Sequence, residues 1–277
     1  MGGFARRMSY WNAFAQRYPG MPCLRLDAGS IFNAGVAEAP VVNRWMLEGT
    51  YKSKLDALNL SAWDLPLWQE MGDLASIGQI PKEFVNLSLV SGNVTAKVPN
   101  FPAIQRYVIK EYSVGSANTG KRVRIGITGL LYDPEERISR REFQIQDPQA
   151  AARQLIGEIS SRTDYRIVLT DLDLGKAISL AIAVPEINLI VVARNYEAIS
   201  DPQQVGDTLI VLPVNEGKII SEIRLDWGSG AQKMEFQTRL VPLDRTVPDE
   251  PVMGELIRKA QAQVESFRNG KLPGAIQ

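Results

Sequence analysis

The chain has 277 residues, 45% of them hydrophobic and 22% charged, enough apolar content to bury a sizeable core. Its 31 Lys and Arg balance its 31 Asp and Glu, so no global field draws it to nucleic acid or anionic lipid. It contains no histidine, which excludes Ser-His-Asp and Cys-His nucleophiles and imidazole zinc sites, and leaves any chemistry to carboxylates.

Phe4, Met8, Trp11, Ala15 and Tyr18 recur at helical steps, predicting one apolar helix face that Pro19-Gly20 ends. Arg6-Arg7 on that helix reads as solvated. Residues 23–27 follow as a short strand. Its Cys23, the single cysteine, excludes an internal disulfide and a Cys-x-x-Cys-His haem site, and reads as a buried structural thiol. A helix is expected over residues 41–58, with Val42, Trp45, Met46, Leu55 and Leu58 inward, then a strand over 60–65. Segments 84–90, 107–112 and 123–131 are rich in β-formers, and the polar loop 115–120 suits a hairpin between the last two. Residues 135–142 mix both charge signs and read as a solvated loop.

Asp147-Pro148 is an N-cap followed by a first-position proline, opening a helix that faces Ala151, Ala152, Leu155, Ile156 and Ile159 to the core. Strands at 166–170 and 188–193, joined by a helix over 174–184, make a βαβ unit and so a parallel pair. Segments 208–214, 219–227 and 233–243 are expected to close the chain as a meander, before a polar helix over 251–267. No run approaches the ~20 apolar residues of a membrane span, and the N-terminus lacks the apolar core of an export signal. The pattern predicts an α/β (α+β) fold with helices outside two facing mixed sheets. One domain is expected over residues 1–248, with 249–277 as a C-terminal helical tail.

Five fragments carry a resemblance: Gly2-Gly3-Phe4-Ala5-Arg6-Arg7, Leu26-Asp27-Ala28-Gly29-Ser30-Ile31-Phe32, Leu87-Ser88 with Asn93-Val94, the strand from Lys121 to Leu130, and Ile187-Asn188-Leu189-Ile190-Val191-Val192-Ala193-Arg194-Asn195-Tyr196. In order and spacing they resemble the calcineurin-like metallophosphoesterases, specifically the N-terminal domain of periplasmic 5′-nucleotidases. The resemblance implies a four-layer sandwich whose first strand, bearing an Asp-x-His motif, lies upstream of this chain. A truncated gene, a displaced start or an edge supplied by a partner would each account for that.

The family's chemistry implies two metal ions that clamp a phosphate and are held by Asp, Asn and His. Ser30 stands where the bridging Asp belongs, Thr170-Asp171 replaces Ser-His, and Arg194 and Tyr196 replace the final His-x-His. Asp27 persists at a position the pattern does not use as a ligand, and no Gly-Asn-His-Glu tetrad occurs within residues 60–70. Asp27, Ser30, Asp171, Arg194 and Tyr196 therefore read as a vestigial site without catalytic residue, metal or cofactor, with Arg194 paired to Asp171 or Asp27 in place of the metal charge. Two alternatives stand beside this reading. Asp27, Asp171 and Asp173 would hold a Mg²⁺ or Ca²⁺ for residual phosphomonoester hydrolysis, or Arg194 would hold the anion of a nucleotide in a pseudoenzyme.

A narrower resemblance is to a bacterial nucleotidase-like branch often followed by multihaem cytochrome domains. It implies a non-catalytic binding or assembly subunit with a protein partner, a multihaem c-type cytochrome among the candidates. It also implies a periplasmic location, although the chain's own lack of an export signal leaves the cytoplasm open.

Overall fold

The computed structural model describes residues 3–114, 120–193, 202–213, 217–226 and 235–270. Helix α1 (Phe4–Arg17) leads to β1 (Leu26–Asp27), α2 (Ala39–Lys52), β2 (Ala57–Asn59), α3 (Leu65–Ser76), the single turn α4 (Lys82–Val85) and β3 (Leu89–Val90). Next come β4 (Val94–Ala96), β5 (Ile104–Gln105), the hairpin of β6 (Val108–Val114) with β7 (Lys121–Leu130), and β8 (Phe143–Ile145). The second half adds α5 (Pro148–Ile159), β9 (Tyr165–Thr170), α6 (Leu174–Ala183), β10 (Leu189–Val192), β11 (Gln203–Val205) and β12 (Thr208–Val211). A ribbon of β13 (Ile219–Asp226) with β14 (Glu235–Pro242) and helix α7 (Pro251–Arg268) end it.

Strands β1, β2, β3 and β5 form a parallel four-stranded sheet in that order. The six-stranded sheet runs β11-β12-β10-β9-β7-β6, parallel in its centre with antiparallel strands at both edges. Its alternation sets the layers. Ile125, Ile127, Ile167, Leu169, Leu189 and Val191 face Ala57 and Val90 of the other sheet, while Val168, Ile190, Val192 and Ile210 meet Ala152, Ile156, Ala177 and Leu180 of α5 and α6. On the far side Leu58 and Leu89 pack against Leu47 of α2 and Trp68 and Met71 of α3. The result is a helix–sheet–sheet–helix sandwich. The two sheets come so close at Gly129 that a Cβ there would collide with Asn59 Oδ1 and the Val90 carbonyl.

Several sequence expectations shift for local reasons. The helix expected over 41–58 ends at Lys52, because Lys54 adopts a φ of 50° and turns the chain so that Leu58 enters β2. The strand expected at 60–65 is instead the approach to α3, whose first turn carries Pro66 and whose Trp68, Met71 and Ala75 are buried. Segment 84–90 divides into α4 and β3. Strand β12 does not join a meander with β13; it pairs in parallel with β10. Along α1 only Ala5 is buried and Ala15 is exposed, since α7 covers one side of the helix through Met253 and Leu256. Cys23 is exposed, not buried, because the strand begins only at Leu26. Residues 115–119, most of the expected hairpin loop, lie outside the described residues, but β6 and β7 pair as an antiparallel hairpin up to Val114 and Lys121.

Gly129→Ala is expected to lower unfolding free energy by ~2–3 kcal/mol in urea denaturation, as overpacking does when backbone and a buried amide cannot retreat. Gly157→Ala, on the open face of α5 with nothing within 4 Å of its Cβ position, should be neutral or stabilising by up to ~1 kcal/mol in the same experiment.

Candidate functional site

The polar residues of the fold collect where the strands of both sheets end. Beyond β1 the chain turns sharply: Gly29 has a φ of 101°, and a Cβ there would meet the Asn59 carbonyl at 2.9 Å. Ser30 follows with a φ of 61° and is exposed. The loop is clamped from below. Asp64 Oδ2 accepts the Ile31 N–H at 3.0 Å and Oδ1 accepts the Phe32 N–H at 3.2 Å, while Asn43 accepts from Asn33 N at 2.8 Å and donates to its carbonyl at 2.9 Å. Asp64 is only 1% exposed. Burial pushes its carboxyl up to about 6, against the lowering effect of the Ile31 and Phe32 hydrogen bonds.

Asp171 sits just past β9 and is 3% exposed. Its Oδ1 accepts the Tyr132 N–H at 2.6 Å and its Oδ2 the Ala62 N–H at 3.0 Å. Asn59, ending β2, donates to the Ala28 carbonyl at 3.1 Å and the Leu130 carbonyl at 3.4 Å. Asn93 accepts from Leu131 N at 2.8 Å and donates to the carbonyls of Leu131 at 2.7 Å and Gln146 at 3.0 Å. These side chains act as main-chain partners for loops that have left the sheet ladders.

Asp27, Ser30 and Asp171 line one cavity of about 1420 Å³, so the structure brings these three expected positions together. Asp173 is not among its lining residues. It caps α6 by accepting from Lys176 N at 2.8 Å and pairs with the Lys176 ammonium at 3.2 Å. Arg194 and Tyr196 lie outside the described residues. A different arginine, Arg7 of α1, reaches Asp27 Oδ2 at 3.3 Å, and Asp27 Oδ1 accepts the Gly29 N–H at 3.2 Å. The Arg6-Arg7 pair is thus tied down rather than solvated, Arg6 bonding the Leu243 carbonyl at 3.2 Å and Asp249 at 3.3 Å.

A two-metal phosphoesterase centre needs several anionic or imidazole donors converging on open space. Among the described residues no group of three or more His, Cys, Asp or Glu is disposed to hold a metal ion. Both Asp171 oxygens face main-chain donors, Asp27 faces a guanidinium, and Asp173 faces an ammonium. This donor set does not fit that centre.

The architecture is that of the calcineurin-like phosphoesterases and the N-terminal domains of 5′-nucleotidases. The chain is similar to a 5′-nucleotidase precursor of Thermus thermophilus, with a TM-score of 0.75 at 19% identity over 96% of this chain and 54% of that one. It is similar to the sulfate thiohydrolase SoxB of Thermus thermophilus, with a TM-score of 0.74 at 16% identity over 95% and 47% of the two chains. For the calcineurin-like phosphoesterase YfkN of Bacillus subtilis the TM-score is 0.66 at 15% identity, over 96% and 90%. The chain spans about half the length of the first two proteins. At such identities the likeness concerns the fold. No family model and no curated protein sequence matches the chain. Among the described residues no helix is long and apolar enough to cross a membrane.

The Asp64 clamp has a pH signature. Its folded value of about 6 lies above the 3.8 of a free carboxyl, so its contribution to stability is complete below about pH 4 and is lost as pH rises through about 6. Wild type should lose stability relative to Asp64→Asn across that window in urea denaturation, whereas a gap independent of pH would contradict a carboxyl raised by burial.

Proposed function

We propose that the chain is a non-catalytic binding or assembly subunit built on the phosphoesterase fold and acting with a protein partner. The segment resemblance suggests a c-type cytochrome outside the cytoplasm as the partner class. The observation that carries the reading is the state of Asp171, whose two oxygens accept main-chain N–H groups from Ala62 and Tyr132. Those two donors fix the carboxylate between the Ala62 and Tyr132 main chains and occupy one lone pair of each oxygen, which supports a structural role for it. The Arg7 guanidinium at Asp27 adds a positive charge to the same cavity, where a divalent cation would be repelled.

Elemental analysis of the purified protein, combined with a phosphomonoester and nucleotide screen in Mn²⁺ and Mg²⁺, tests this directly. The expected result is no stoichiometric divalent metal and no turnover above a protein-free blank. Bound metal with turnover that disappears in Asp171→Ala would instead establish a residual hydrolase on Asp27, Asp171 and Asp173. In the structural role, Asp171→Ala costs ~3 kcal/mol of stability by orphaning two main-chain donors, and its urea midpoint falls with no activity to lose.

A further inference from the structure

Among the described residues, the ribbon of β13 and β14 ends in a bare strand edge. Strand β14 pairs with β13 alone, and most of its residues are exposed. The Leu243 N–H donates to the Lys218 carbonyl at 2.8 Å, which fixes the phase of the ladder. Gln237, Arg239 and Val241 turn their main chains toward β13, while Phe236, Thr238 and Leu240 turn theirs outward. No main-chain bond from another described segment reaches those three outer positions. Pro242, which has no N–H to offer, closes the run at one end.

The side chains of β14 sort by face. Phe236, Thr238 and Leu240 stand beside Leu225, Ile223 and Ser221 of β13. Yet Phe236 and Leu240 are not part of the inter-sheet apolar layer that takes in Ile223 and Leu225, and Phe236 is 38% exposed. On the other face Arg239 donates to the Tyr10 oxygen at 2.9 Å and pairs with Glu222 at 3.3 Å, with its side chain still 56% exposed. Glu235 and Gln237, on the same face, are exposed as well. The edge therefore offers main-chain groups, uncovered apolar side chains and both signs of charge within one strand.

We propose that β14 pairs with the β14 of a second copy of this chain, antiparallel about a two-fold axis at Thr238. Residues directly opposite in an antiparallel pair share a face, so such an axis passes between identical residues. Centred on Thr238, it sets the three outward main chains against one another: Thr238 meets its own copy, and Phe236 meets the second copy's Leu240. That register covers the uncovered apolar side chains with each other and places a Thr–Thr pair at the centre, both favourable cross-strand combinations. On the other face the second copy's Arg239 lies opposite Gln237 and diagonal to Glu235, so its guanidinium gains an amide oxygen and a carboxylate, and no like charges stand opposite. An axis at Arg239 would set that guanidinium against itself, and an axis at Gln237 would lose the contact of Phe236 with Leu240. The edge is thus complementary to itself, which selects a second copy as the occupant. Residues 235–241 span about 24 Å when paired, a contact small enough for a weak dimer with a Kd in the range of tens of micromolar, about 50 µM. The inference goes beyond the subunit role above and rests on the ribbon alone, so neither metal content nor turnover bears on it.

Sedimentation equilibrium of the full chain from about 1 µM to about 500 µM tests the pairing, and wild type is expected to follow a monomer–dimer equilibrium. Thr238→Pro removes an outward N–H and leaves the β13 ladder intact, while Glu235→Arg sets like charges diagonal to each other across the axis. Each is expected to weaken association by about tenfold or more, with a thermal midpoint by circular dichroism within about 2 °C of wild type. Glu83→Arg, the same charge change on α4, should leave the constant as it was. If Thr238→Pro lowers the midpoint, Glu235→Arg alone decides. On a Cys23→Ser background, Thr238→Cys is expected to form a disulfide-linked dimer under mild oxidation, because residues facing each other at the axis have Cα atoms about 5.5 Å apart. Glu83→Cys on that background is the control. A monomer throughout, a dimer indifferent to Glu235→Arg, or no excess cross-linking of Thr238→Cys over the control overturns the proposal.

Discussion

A carboxylate removed from water must find donors inside the protein, and Asp171 finds them in two different sheets. The Ala62 N–H belongs to the chain just beyond β2 and the Tyr132 N–H to the chain just beyond β7, so one side chain at the end of β9 fixes three strand ends. Asn59 and Asn93 repeat the device, reaching the Leu130 carbonyl and both main-chain groups of Leu131. With Gly129 permitting close backbone approach directly beneath, the sandwich is locked at this end by hydrogen bonds as well as by apolar packing. The displayed loop from Ala28 to Asn33 then depends on a second buried acid, Asp64, which holds Ile31 and Phe32.

The remainder of the cavity is built on the opposite principle. There the walls are strands whose outer edges lack a neighbour among the described residues, and both are tied to α1 and its C-terminal end through guanidinium–ring contacts and the Tyr10–Glu222 bond. Burial alone would raise the Glu222 carboxyl, but hydrogen bonds from Tyr10 and Arg224 and the charges of Arg224 and Arg239 bring it below the usual range. It therefore remains an anion suited to hold that helix. One cavity thus joins a polar end whose acids are hydrogen-bonded or ion-paired to an apolar region lined by β1 and β13, whose outer edges have no strand neighbour among the described residues.

Legibility from sequence followed how local each determinant is. The α5 cap was readable because Asp147 and the Ala150 N–H it accepts lie three residues apart. The β9–α6–β10 unit was readable because its strands are apolar on both faces and its crossover is one helix. Helix α3 was not, since its apolar positions follow a segment that scans equally well as strand, and tertiary contact with α2 and β2 selects the helix. Leu55 and Leu58 continue the spacing of α2, yet Leu58 belongs to β2 because the Lys54 turn redirects the chain. At the site, Asp27, Ser30 and Asp171 could be placed by segment order. Arg7 could not, because its partner is set by how α1 lies over the sheet edge and not by any spacing along the chain.

The sequence by itself determined the class of sandwich and the loss of imidazole chemistry, because composition, alternation and segment order are properties of the chain alone. Tertiary structure decided what the remaining acids do. A carboxylate is the same group whether it binds a metal, a guanidinium or a main-chain N–H, and only the donors that the fold brings within about 3 Å distinguish these roles. It also decided that β1 and β13 line one cavity, since which distant segments come to lie beside a common space is set by packing and not by spacing along the chain.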